Sequence, residues 1–228
     1  MPFPHILTIR AWTVAMLSLA TPASHAMQMQ VAGNQLILSG NVVGDEPRLI
    51  ADVLSNNPAI ETVILRNSRG GDVAAGYRVG EMFRARGLRT AVSGYCNSSC
   101  SRMFLGGKER FFASDYAPAS TAIGFHGHYG SDGGLRADLV ARYDLKSWII
   151  QYSDGKADPD LVERWINLPR NNDMVRFYNP ALFTVNGAST FLCLEGQRFQ
   201  QCQAIHKTAL DLGIVTSLDL IRSNDMPR

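Results

Sequence analysis

The sequence predicts an α/β domain built on parallel strands joined by right-handed crossovers. Short apolar, β-branched runs alternate with stretches of helical apolar spacing from residue 62 to residue 125, the rhythm of repeated strand–helix–strand units. Capping and stopping residues stand at the junctions: Asp72 before one helical stretch, Gly87 after it, and Gly106-Gly107 after the next, as helix ends require.

The elements follow in order. Residues 29–31 and 35–38 alternate polar and apolar around Ala32-Gly33-Asn34, a hairpin pattern. Asp45-Glu46-Pro47 opens a helix to about Asn56, with Leu49, Ile50, Val53 and Leu54 at helical spacing and Pro47 in the first turn, where its missing N–H costs nothing. Residues 62–65 read as a buried parallel strand. The helix capped by Asp72 runs to about Arg86 and turns Val73, Tyr77, Val79, Gly80 and Phe83 inward. A short strand over 90–92 leads through Gly94 into the Cys96-Asn97-Ser98-Ser99-Cys100 loop, and a helix follows through Leu105. Residues 110–112 and 121–125 are further strands; 135–152 and 158–167 are helical, with Pro159 in a first turn. From Phe183 the chain reads as a strand, a cysteine-bounded loop and a helix over 204–212 that ends at Gly213.

Residues 1–26 have the character of a secretory signal: Arg10 is their one basic residue, an apolar run follows, and Ser24-His25-Ala26 has the small–x–small cleavage pattern. The run is shorter than the ~20 apolar residues a membrane span needs. Residues 27–228 then form one mature domain, whose formal charge falls from +2 to +1 without the signal. A chain so near neutrality is a poor partner for nucleic acid or an anionic membrane. All four cysteines, Cys96, Cys100, Cys193 and Cys202, lie in the exported part, where disulfides form. Proximity favours Cys96–Cys100 and Cys193–Cys202. On one helix, residues four apart sit ~5–6 Å apart at Cβ, too far to bridge, so the first pair requires Cys96 to precede the helix. A four-cysteine zinc site is the rival reading.

Three short segments carry chemistry. Asn67-Ser68-Arg69-Gly70-Gly71-Asp72 follows a strand; its glycines let the backbone approach a substrate carbonyl, although Gly-Gly before a capping Asp is also a common turn. Ser98 stands where a strand hands over to a helix, which exposes a hydroxyl beside the Ser99 N–H and also suits a plain N-cap. Ser93, Ser99 and Ser101 compete with it, and Cys96 or Cys100 would serve only as free thiolates. His126 ends an apolar strand and shares His126-Gly127-His128 with a second histidine; a metal pair there lacks an evident third ligand. Donors, nucleophile and base in this order are the parts of a serine acyl-transfer site.

These segments resemble the Clp protease proteolytic subunit. Asn67-Ser68-Arg69-Gly70-Gly71 is similar to its Asn-Ser-Pro-Gly-Gly turn, Gly94 to Ser98 to its nucleophile motif, and Gly124-Phe125-His126 to its histidine segment, with a weaker echo over 209–215. The chain also resembles periplasmic relatives with a Cys-x-Ser-x-Cys loop. The resemblance implies a ClpP/crotonase-like spiral of ββα units with a C-terminal helical region. It makes Ser98 the nucleophile, His126 the base, and Gly70, Gly71 and Ser99 the oxyanion hole. The third member falls at Asp173, with Asp154, Asp158, Asp160 or a Ser–His dyad as alternatives.

The expectation is a periplasmic or otherwise secreted serine hydrolase of the peptidase type, acting on a peptide or protein substrate without cofactor or metal and without stable membrane insertion after signal cleavage. A homo-oligomer is implied by the resemblance. The rival class is a non-catalytic binding module that keeps the fold.

Overall fold

The computed structural model describes residues 26–130 and 132–226; apart from Ala26, the signal expected over 1–26 lies outside them. The hairpin forms as β1 (Gln28–Ala32) and β2 (Gln35–Ser39). Helix α1 (Glu46–Asn56) carries Pro47 in its first turn and buries Ile50 and Leu54. Strand β3 (Thr62–Ser68) pairs parallel with β2 on one side and with β4 (Arg89–Asn97) on the other. Between them runs α2 (Val73–Ala85), where Asp72 accepts a hydrogen bond from the Ala75 N–H at 2.7 Å and Tyr77, Val79 and Phe83 turn inward.

Helix α3 (Ser99–Leu105) follows β4 directly, and β5 (Glu109–Ala113) and β6 (Ala122–Phe125) both pair parallel with β4. Ser98 therefore sits at the end of the strand at which the parallel sheet divides. Helices α2 and α3 meet across glycine: a Cβ on Gly80 would lie 2.6 Å from the Arg102 carbonyl oxygen, so no larger residue allows this spacing. The core lies between these helices and the sheet, from Leu36 and Leu65 through Phe83 and Phe104 to Trp165 and Phe177.

Three expectations for the C-terminal half are corrected. The helix over 135–152 is two helices, α4 (Ala137–Arg142) and α5 (Leu145–Tyr152), because Asp144 leaves the helical path to cap α5 through the Ser147 N–H. After α6 (Pro159–Ile166), the region is not helical. Strands β7 (Met174–Phe177), β8 (Thr190–Cys193) and β9 (Gln203–Ile205) extend the sheet antiparallel from β6. The helix expected over 204–212 is thus β9 and then one turn, in which Thr208 and Asp211 cap each other before Gly213 at φ +63°. Its apolar spacing comes from Ala209, Leu212, Ile214 and Val215, which plug the core from that turn. Strand β10 (Leu220–Ile221) closes against β5. Among the described residues, no helix is long and apolar enough to cross a membrane.

Arg110, fully buried, holds the plug in place. Its guanidinium donates to the carbonyls of Gly107, Gly213 and Ile214 and to Asp154 at 2.7–3.1 Å. Removing it leaves several buried acceptors without a donor. Arg110→Met should lower unfolding stability by about 3 kcal/mol, measured as a shift in urea midpoint at unchanged slope.

Candidate active site

Both cysteine pairs are closed. Cys96, in β4, bridges Cys100 in the first turn of α3 with Cα atoms 5.3 Å apart, and Cys193 bridges Cys202. The zinc alternative and the thiolate alternative end there. Cys96 precedes the helix, as the geometry of a bridge between residues four apart demands.

The turn inside the first bridge puts Ser98 at φ 57°, ψ −124°, a conformation that costs a non-glycine residue about 1–3 kcal/mol and survives only where the surroundings impose it. They do so through the backbone. The Ser98 N–H donates to the Gly124 carbonyl at 3.0 Å, and the Ser98 carbonyl accepts from the Ser101 N–H at 3.0 Å and its hydroxyl at 2.6 Å. The side chain is left to the cleft. Its three competitors are buried: Ser93 donates to Asp115, Ser101 donates to the Ser98 carbonyl, and Ser99 is enclosed.

Gly70 lies against this turn. At φ +89°, a Cβ there would stand 2.5 Å from the Asn97 carbonyl and 2.7 Å from the Ser98 Cβ. The Gly70 carbonyl accepts from the Val42 N–H, and the Asp72 N–H donates to the Val42 carbonyl. Between them the Gly71 N–H makes no hydrogen bond among the described residues, and Gly71 lines the cleft. The Ser99 N–H belongs to the first turn of α3, where helical N–H groups lack intrahelical acceptors.

His126 follows β6 and lines the same cleft, about 1000 Å³ in volume, together with Ser98. Its ring stacks parallel on Tyr129 at 5.3 Å, and its buried Nδ1 has no hydrogen-bond partner among the described residues. Burial, then the Arg102 cation, then His128 push its pKa down to about 3, so the imidazole is neutral at pH 7. His128 is committed elsewhere: its Nε2 and the Tyr77 hydroxyl are hydrogen-bonded at 3.0 Å. No hydrogen bond joins Ser98 to His126 among the described residues; such contacts are often long in unliganded sites.

Asp173 is not brought onto His126. Its two carboxylate oxygens accept from the backbone N–H groups of Arg170 and Glu195 at 3.0 and 2.6 Å, so it pins the loop after β8 to the start of β7. The alternatives lie elsewhere: Asp154 pairs with Arg84 and Arg110, Asp158 caps α6, and Asp160 is exposed in the first turn of that helix. Beneath His126 lies a cation instead. Arg102 is 1% exposed, donates to the His126 carbonyl at 3.4 Å, and faces the Tyr77 ring at 5.4 Å. The residues missed from sequence are Arg102, four positions after Ser98 and so one helical turn on, and Tyr129, whose hydroxyl bonds the Leu168 carbonyl. Among the described residues, no three metal-ligating side chains cluster.

Comparison with solved structures gives ClpP1 from Listeria monocytogenes at 16% identity and TM-score 0.52, covering 83% of this chain and 93% of that one. The fold is ClpP-like. A point variant of the same Listeria protein matches at 16% identity and TM-score 0.52, covering 84% of this chain and 94% of that one. No protein-family model and no curated protein matches the chain.

The histidines set a pH dependence. The folded pKa of about 3 for both His126 and His128 lies below the ordinary 6.5, so the unfolded chain binds protons first as pH falls. Their contribution to stability is fully present above about pH 6.5 and is lost progressively from there toward pH 3. The urea midpoint should be lower at pH 4.5 than at pH 7.5. NMR should find both imidazoles still neutral at pH 5, whereas a midpoint near 6.5 for either would contradict the burial argument.

Proposed function

We propose that the chain is a serine hydrolase of the peptidase type. The observation that carries this reading is the Ser98 turn: a serine forced into left-handed backbone at a strand-to-helix junction, opening on a cleft it shares with a neutral histidine. A nucleophilic serine needs its hydroxyl presented away from its own backbone and a base that is unprotonated at working pH. Ser98 and His126 supply the two roles. In the mechanism, His126 takes the Ser98 proton as Ser98 Oγ attacks an ester or amide carbonyl. The Gly71 and Ser99 N–H groups, with Gly70 leaving room, receive the oxyanion. His126 then returns the proton to the leaving group.

The site acts as a Ser–His dyad in this reading. Asp173 serves as a positioning residue for the cleft wall, because its oxygens are taken by backbone donors. The resemblance to the Clp proteolytic subunit and the ClpP-like fold support peptide-bond chemistry and assembly as a homo-oligomer. The two disulfides support action in an oxidising compartment, the periplasm or outside the cell, after removal of residues 1–26.

The second reading, a binding module on the same fold, is favoured by one observation: the unpartnered His126 Nδ1 beside the buried Arg102 cation, which disfavours an imidazolium intermediate. Fluorophosphonate labelling of folded, oxidised protein separates the two. The hydrolase reading expects an adduct on Ser98, none in Ser98→Ala, and labelling slowed about 10³-fold or more in His126→Ala. Folded protein that stays unlabelled supports the binding module.

A further inference from the structure

The cleft beside Ser98 carries an unbalanced positive charge. Sheet order runs β3–β4–β6–β7, with Ser98 at the end of β4, Arg69 just after β3, and Arg176 on β7. The two arginines thus flank the serine from opposite sides, and both line the cleft. On β7, Val175 and Phe177 are buried in the core, so alternation puts Met174 and Arg176 on the other face; Met174 lines the cleft too. The cross-strand neighbour of Arg176 on β6 is Gly124, two residues before His126. The room that a side chain at Gly124 would take is filled by Met174 and Asn97.

Arg66, Arg84 and Arg110 each reach a carboxylate, but neither Arg69 nor Arg176 has one within ion-pair distance among the described residues. One carboxylate, Glu195, lines the cleft, and it is engaged by Asn172 at 2.6 Å and Arg170 at 4.0 Å. His126 adds no charge at neutral pH. Tyr95, Tyr129 and Phe199 supply broad aromatic walls between the charged positions, and the Tyr178 hydroxyl bonds Arg176 without neutralising it. A cleft with two uncompensated guanidinium groups over aromatic walls suits an anionic, extended ligand.

We propose that this cleft selects carboxylate-bearing peptide segments, with Arg69 and Arg176 as the residues that read the charge. The carboxylate is either an Asp or Glu side chain or a free chain terminus. The inference rests on the peptidase reading for its consequence, substrate choice, while its binding component stands on the cleft's charge alone.

The test is fluorescence anisotropy of labelled peptides on oxidised Ser98→Ala protein, in low salt. One peptide pair differs by Glu against Gln, with amidated ends; a second pair differs by a free against an amidated C-terminus. The Glu or the free-acid peptide should bind about tenfold tighter than its neutral counterpart, which tells the two carboxylate sources apart. About 0.5 M salt should compress the difference, and Arg176→Gln with Arg69→Gln in the Ser98→Ala background should abolish it. Equal binding within both pairs, no binding of any peptide, or a preference that survives the arginine substitutions overturns the proposal. Fluorophosphonate labelling of protein retaining Ser98 is read separately. Labelling without charge preference overturns this inference alone, and charge preference without labelling overturns the peptidase reading alone.

Discussion

The Cys96–Cys100 bridge spans the turn at Ser98, and much of the cleft is arranged to fit that turn. Residues four apart can be joined only if the chain bends sharply between them, so the bridge ties the end of β4 to the first turn of α3 and leaves Ser98 at the bend. The bend brings the Ser98 N–H to Gly124, two residues before His126, and so opens Ser98 and His126 onto one cleft at the ends of β4 and β6. It also demands a neighbour without a side chain, which is why Gly70 stands where any Cβ would strike Asn97 and Ser98. Glycine at position 80, under Arg102, lets α3 settle onto α2 and carry the turn with it.

The electrostatics around the histidine differ from what a triad would provide. In a triad a carboxylate stabilises the imidazolium as it forms. Here the nearest charged group to the His126 backbone is Arg102, and the carboxylates of the region are spent on other tasks. Asp173 ties two loops by accepting backbone N–H groups, and Asp154 neutralises arginines far along the chain. Burial first, and then the Arg102 cation, keep the His126 imidazole neutral and stabilise its protonated form less.

The parallel half of the fold is readable in the sequence because each element there is fixed by local chemistry: Pro47 in a first turn, Asp72 as a cap, Gly87 at a stop, β-branched residues over 62–65. The disulfide pairing and its condition on Cys96 follow from chain geometry in the same way. In the C-terminal half the helix at Pro159 and the Cys193–Cys202 pair are readable, but the rest is not, because its order comes from distant partners. Residues 203–205 are a strand through pairing with β8, and the apolar residues 209–215 mimic a helix because one turn inserts them into the core, where Arg110 holds their carbonyls. The resemblance points to Asp173 as the partner of the histidine; which atoms a carboxylate meets depends on how β7 and the Glu195 loop come together, information that spacing does not hold. The resemblance singles out Ser98 and His126; the burial of Ser93, Ser99 and Ser101 and the Tyr77 bond to His128 add physical grounds that spacing lacks.

In the hydrolase reading Ser98, held in this turn, is a nucleophile facing its own oxyanion donors. A crystal structure of the mature, oxidised protein with a peptide boronic acid decides this. The expected result is tetrahedral boron bonded to Ser98 Oγ, with one boronate oxygen accepting a hydrogen bond from the Gly71 N–H and His126 beside the other. A boronate bonded to another residue, or lying in the cleft unbonded with Ser98 undisturbed, would contradict it.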